Sequence, residues 1–143
     1  MKKRLGVLVT MAALACALCL IGCSSSGSGS DVQEGLPDWA NETQLTEQTR
    51  ELIDLYTARD FDAVAEKCEP LGLSAEDFAQ NGDPILDQLG AFKDFGDVAY
   101  LNGKAKDGTP YATVVQIANY ENGPAQYTIS FNEDDSISGF YIK

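Results

Sequence analysis

Tyr111-Ala-Thr-Val-Val-Gln-Ile-Ala-Asn-Tyr120, the turn Glu121-Asn-Gly-Pro124 and the run Gln126-Tyr-Thr-Ile-Ser-Phe131 decide the fold class of this 143-residue chain. Side chains alternate between the two faces of a strand. Tyr127, Ile129 and Phe131 therefore fall on one face, and Gln126, Thr128 and Ser130 on the other, which meets water or another chain. A turn of Asn132 to Asp135 leads into a last strand from Ser136 to Ile142. Upstream, Phe95 to Leu101 forms a strand joined to Tyr111–Tyr120 by Asn102 to Thr109, whose Asn-Gly and Asp-Gly steps suit positive φ.

Before Gly90 the period changes from two to 3.6. Leu45, Leu52, Ile53 and Tyr56 mark one face of a helix running from Asn41 or Thr43 to Arg59. Asp60 caps a short helix from Phe61 to about Cys68, which Pro70 and Gly72 end. Ser74 with Asp77 starts a brief helix through Gln80, and Asp83-Pro84 starts a second one that stops at Gly90. Helices gathered on the N-terminal side and a C-terminal antiparallel meander give the α+β class.

The N-terminal end carries an address. Lys2, Lys3 and Arg4 precede a run from Leu5 to Ile21 that has no charge and no proline, and the run closes in Leu20-Ile21-Gly22-Cys23. A basic segment, an apolar segment and small residues at a cut are the marks of an export signal, and this tetrapeptide looks like the lipobox of a bacterial lipoprotein. The expected organisation is a signal peptide over 1–22, then a lipidated Cys23 with a flexible tether over 23–42, then one α+β domain over 43–143. Ser24-Ser-Ser-Gly-Ser-Gly-Ser30 has nothing to bury and reads as coil. Lipoproteins of this kind resemble one another in carrying diacylglycerol on the first cysteine, often with a further acyl chain such as palmitate. Two or more chains hold stably to a bilayer. Cys23 is thus the expected lipidation site, with the protein at the extracytoplasmic face of the cell membrane.

All three N-terminal basic residues leave with the signal, so the mature chain has seven basic and 22 acidic side chains, a net charge of −15. Such a surface is repelled by nucleic acid phosphates. Cys16 and Cys19 lie in the discarded segment, which leaves Cys68 as the free thiol, on one apolar face with Phe61, Val64 and Ala65. With no histidine, the usual nitrogen and sulfur set for zinc cannot assemble. No metal or cofactor is called for.

The order of a long helix, a short helix at Asp60-Phe61-Asp62, a segment ending Gln88-Leu89-Gly90-Ala91-Phe92 and a terminal meander is similar to the nuclear-transport-factor-2-like cone. More narrowly, three features resemble the family known as domain of unknown function 3887. They are Leu89-Gly90-Ala91-Phe92-Lys93, the strand around Ala112-Thr113-Val114-Val115, and Phe131-Asn132-Glu133-Asp134 followed by Ile137-Ser138-Gly139-Phe140. The likeness covers Leu45 to Lys143. It implies helices packed across one face of a curved antiparallel sheet, in a small extracytoplasmic bacterial domain with no common activity. Enzymes of the wider superfamily place a histidine or an aspartate inside the cone as proton acceptor, and this chain has no histidine to match.

The leading expectation is a noncatalytic module that binds a small ligand, a peptide or an envelope protein. Tyr100, Tyr111, Tyr120, Tyr127 and Trp39 are its candidate aromatic contacts, and the sheet face is open to assembly. The second is a small isomerase or hydrolase inside the cone, with Asp54 or Asp97 as general base. The third makes Asn132, Glu133, Asp134 and Asp135 a calcium loop. That cluster lacks the ligand alternation of an EF-hand and has the residues of an ordinary β-turn. No catalytic residue is assigned.

Overall fold

The computed structural model describes residues 32–143. Three helices, α1 (Glu42–Thr57), α2 (Phe61–Lys67) and α3 (Ala75–Leu89), lie against a five-stranded antiparallel sheet. Its strands are β1 (Gln33–Glu34), β2 (Phe92–Lys104), β3 (Pro110–Tyr120), β4 (Gly123–Phe131) and β5 (Ile137–Ile142). The expectations for residues 1–22 and for Cys23 lie outside the described residues. Among the described residues no helix is long and apolar enough to cross a membrane.

Each helix starts where its side chains can satisfy free amides. Asn41 accepts from Gln44 N at 3.0 Å, and Asp60 accepts from Ala63 N at 3.3 Å. Ser74 and Asp77 cap reciprocally at the head of α3. The two short helices expected on either side of Asp83 are one continuous helix with Pro84 inside it. Phe78, Gly82 and Leu86 form an unbroken buried row across the proline, and burying that row outweighs the single hydrogen bond Pro84 cannot donate.

The sheet is a plain meander in the order β1-β2-β3-β4-β5. The α+β class holds, but the cone does not: the sheet is open, its end strands β1 and β5 do not meet, and it is not strongly curled. A single bulge bends a sheet locally, and closing one takes bulges repeated from strand to strand. Here nine consecutive pairs, Ala112↔Phe131 to Tyr120↔Gly123, join β3 to β4 without a shift. The irregularities sit at β2–β3 (Phe92/Asp94 and Phe95/Val98) and at β4–β5 (Ser130/Phe131).

Part of the span assigned to the tether is built into the sheet. Gln33 and Glu34 pair with Asn102 and Leu101, Gly35 N donates to Tyr100 O at 2.8 Å, and Asn102 Nδ2 donates to Gly35 O at 2.9 Å.

The core lies between the helices and one sheet face. Leu45, Leu52 and Ile53 of α1 and Val64 of α2 meet Val114, Tyr127, Ile129 and Phe131 from β3 and β4 in one buried cluster. Fully buried Gln116 serves the β2 bulge. Its Nε2 donates to Gly96 O at 3.0 Å and Asp97 O at 3.2 Å, while its Oε1 accepts from Arg50 Nε at 3.0 Å. The Arg50 guanidinium also lies 5.1 Å from the Phe95 ring centre. An interrupted ladder is thereby repaired from the side chains. Arg59 ties the α1–α2 corner to Asp83 and Asp87 of α3.

Candidate functional site

Among the described residues the three helices all pack on one face of the sheet, and the other face carries the candidate site. Along β3, Ala112, Val114, Gln116, Ala118 and Tyr120 are buried under the helices, so Tyr111, Thr113, Val115, Ile117 and Asn119 point the opposite way. On β4, Gln126, Thr128 and Ser130 join them, as the alternation predicts.

Cross-strand pairs give this face its shape. Tyr111 is opposite Gly103, and a Cβ on that glycine would stand 2.5 Å from the Tyr111 hydroxyl and 2.7 Å from its Cζ. The phenol therefore lies down on the strand beside it, in space only a glycine leaves open. Thr113 is opposite Ser130, and their hydroxyls share a hydrogen bond of 2.8 Å. Gly139 of β5, opposite Ser130, keeps the next position low.

A groove of about 470 Å³ crosses this face from β1 to β5. Leu101 and Tyr111 line one part, Thr113, Thr128 and Ser130 another, and Val32, 52 % exposed, stands at the rim. Among the described residues, none that lines it is Asp, Glu, Lys or Arg. The groove is thus uncharged, although 22 acidic residues follow Cys23.

The aromatic candidates are not brought together. Tyr120 and Tyr127 are core residues under the helices, 3 % and 0 % exposed, and their hydroxyls meet each other at 2.5 Å, with Thr57 Oγ1 3.0 Å from Tyr120. Burial, with the Tyr120 hydroxyl next, pushes the Tyr127 phenol far above its ordinary range. Tyr100 also turns toward the helices and meets Thr46 Oγ1 at 2.7 Å. Trp39 packs against the core from the segment before α1, with its Nε1 buried and unpaired among the described residues. Tyr111 alone of the five lines the groove.

The carboxylates proposed as general bases are not in a cavity. Asp54 and Asp97 are both exposed, and partial desolvation raises the Asp54 pKa. In the turn after β4, Asp134 accepts from Ser136 N at 3.1 Å and Ser136 Oγ at 2.5 Å, which lowers its pKa. Asp135 accepts from Gln44 Nε2 at 2.6 Å. These carboxylates tie off the turn and dock it to α1, and no cluster of three or more metal-ligating side chains occurs among the described residues. Cys68 is fully buried, and burial pushes its thiol up to about 11.

Val32, Leu101 and Thr113 belong to the groove without having been candidates. The signal that marks their face is charge: residues 110–131 contain one charged side chain, Glu121.

The profile of a family described as "Protein of unknown function (DUF3887)" matches residues 49–140. An NMR structure of a protein from Ruminococcus gnavus ATCC 29149 superposes with a TM-score of 0.67 at 24% sequence identity, over 78% of this chain and 98% of that one. At that identity the likeness is one of fold. No curated protein matches the chain.

Proposed function

The chain belongs to the DUF3887 family of proteins of unknown function, and on that premise we propose that it is a noncatalytic binding module held at the outer face of the cell membrane. In this reading residues 1–22 are removed on export, Cys23 carries the acyl chains, and the Ser/Gly segment after it lets the α+β domain stand off the bilayer. The observation that carries the binding role is the uncharged groove on the helix-free face of an otherwise acidic domain. Binding surfaces are depleted of charge at their centre, and 470 Å³ falls within the range of about 300–1,000 Å³ usual for ligand sites.

Two experiments test the two halves. Metabolic labelling with a fatty acid should mark the wild-type chain and not Cys23→Ala, and equal labelling of both removes the anchor from the proposal. For the binding role, solubilised envelope material is passed over the immobilised processed chain and over Thr128→Arg, which places a cation on the groove floor without touching the core. Retention by the wild type and not by the variant is expected. Equal retention, or none by either, refutes the groove as the binding surface.

A further inference from the structure

We propose that the groove takes a neutral saccharide, with Tyr111 as the platform on which a sugar ring rests. This inference rests on the groove being the binding surface and adds the chemistry of what enters it.

An anion would find no Lys or Arg among the lining residues, and it would approach a mature chain of net charge −15. A cation would find no carboxylate there to replace its water. An extended peptide binds a sheet by pairing with a free strand edge, but β3 and β4 form the middle of this groove and are hydrogen-bonded on both sides. A wholly apolar molecule would match the surface made by Val32, Leu101, Ala105 and Tyr111 but would leave the polar groups of Thr128, Ser130, Asn132 and Ser138 without partners.

A pyranose has the complementary surface. Hydroxyl groups both donate and accept. The Thr113–Ser130 bond uses one of its two hydroxyl hydrogens, and since Thr113 is buried it is the Ser130 hydroxyl that can meet a ligand. Thr109, Asn132 and Ser138 extend the polar lining beyond that pair. The phenol of Tyr111, laid beside Gly103 and adjoining Leu101 in the groove, offers a flat apolar surface with a polar tip. The Tyr111 hydroxyl makes no hydrogen bond among the described residues, so it too is available. Sugar from a glycan strand and free sugar share this chemistry, and chain length separates them.

The test is an NMR titration of the processed chain, with Cys23→Ala removing only the lipid, against N-acetylglucosamine and its tetramer. Amide shifts at Leu101, Tyr111, Thr113, Thr128 and Ser130 are expected, with a Kd on the order of 0.1–1 mM for so open a site. Tyr111→Ala should weaken binding at least tenfold. Because the ring also packs on β2, Thr128→Val, which keeps volume and removes a hydroxyl, serves as a second variant and should weaken it three- to tenfold. Tighter binding of the tetramer assigns the groove to a glycan strand, and equal binding assigns it to free sugar. No shift at ten times the expected Kd, shifts away from the groove, unaltered binding by both variants, or concentration-dependent shifts without sugar that reveal a second copy on this face each overturn the proposal. Retention of envelope material that Thr128→Arg abolishes, without any response to sugar, would refute the saccharide and leave the binding role standing.

Discussion

Gly82→Ala sets helix propensity against packing. Alanine in place of glycine within a helix ordinarily stabilises by about 0.8–1.0 kcal/mol. Here the new Cβ would stand 2.7 Å from the Tyr56 hydroxyl and 3.0 Å from both Tyr56 Cζ and Phe61 Cε1. The Tyr56 ring has nowhere to go. It is 2 % exposed, with the rings of Phe61, Tyr127 and Phe140 centred 5.6, 6.0 and 5.3 Å away. Adding a methyl to a filled core costs about 1–3 kcal/mol. Packing outweighs propensity over most of that range, and the net loss is about 0–2 kcal/mol, each kcal/mol lowering the melting temperature by roughly 4–8 °C for a domain of this size.

Thermal and urea unfolding followed by circular dichroism measure it. Tyr56→Phe removes the oxygen of closest approach, and that hydroxyl makes no hydrogen bond among the described residues. The double variant should therefore recover part of the loss, with a coupling energy of about 0.5–1 kcal/mol. A more stable Gly82→Ala, or strict additivity of the two changes, would refute the reasoning.

Three further outcomes are expected. Pro84→Ala restores a helical hydrogen bond at an exposed position and should stabilise by about 1–2 kcal/mol after the loss of proline's restraint on the unfolded chain. Lower urea resistance would show that α3 needs its proline. Gln116→Leu leaves the Gly96 and Asp97 carbonyls and Arg50 Nε without their partner, and should cost about 2–4 kcal/mol by urea unfolding. A loss under 1 kcal/mol would mean that solvent repairs the bulge. Burial raises Cys68 to about 11 and Tyr56 to about 12, so folding favours their neutral forms. Their contribution is intact below the ordinary values of 9.0 and 10.0 and is lost as pH climbs through 11 and 12. The urea midpoint should hold to pH 8.5 and then fall, more gently in Cys68→Ala, and a midpoint flat to pH 11 would contradict the burial of both groups.

The elements that could be read from sequence are those whose side chains repeat. Leu45, Leu52, Ile53 and Tyr56 declare α1, and Tyr127, Ile129 and Phe131 declare both β4 and its buried face. Gln33–Glu34 could not be read as a strand: two exposed residues have no period, and only the partner positions Asn102 and Leu101 make them one. Pro84 misleads because a local break signal competes with a buried row that is visible only once the helix is packed. Whether a sheet closes depends on where its bulges fall, and the residues around Phe95 and Ser130 do not announce them. For the site, the outward set Gln126, Thr128 and Ser130 was legible from alternation. The union of Tyr111, Thr113 and Leu101 with it needed the register between strands. Tyrosines were a poor guide, since a phenol serves equally well as core packing, and Tyr120 and Tyr127 are used that way.

The two-residue β1 has a mechanical meaning. It runs antiparallel to β2, so the chain leaves the domain at the end where Lys104 and Pro110 flank the β2–β3 hairpin. Any tension arriving through residue 32 is loaded first onto this short zipper at the sheet margin, while α1 and the central ladder are shielded behind it. Under the anchoring proposed above, peeling β1 away would lengthen the link to the bilayer before the core felt force, so this short strand would act as a shock absorber.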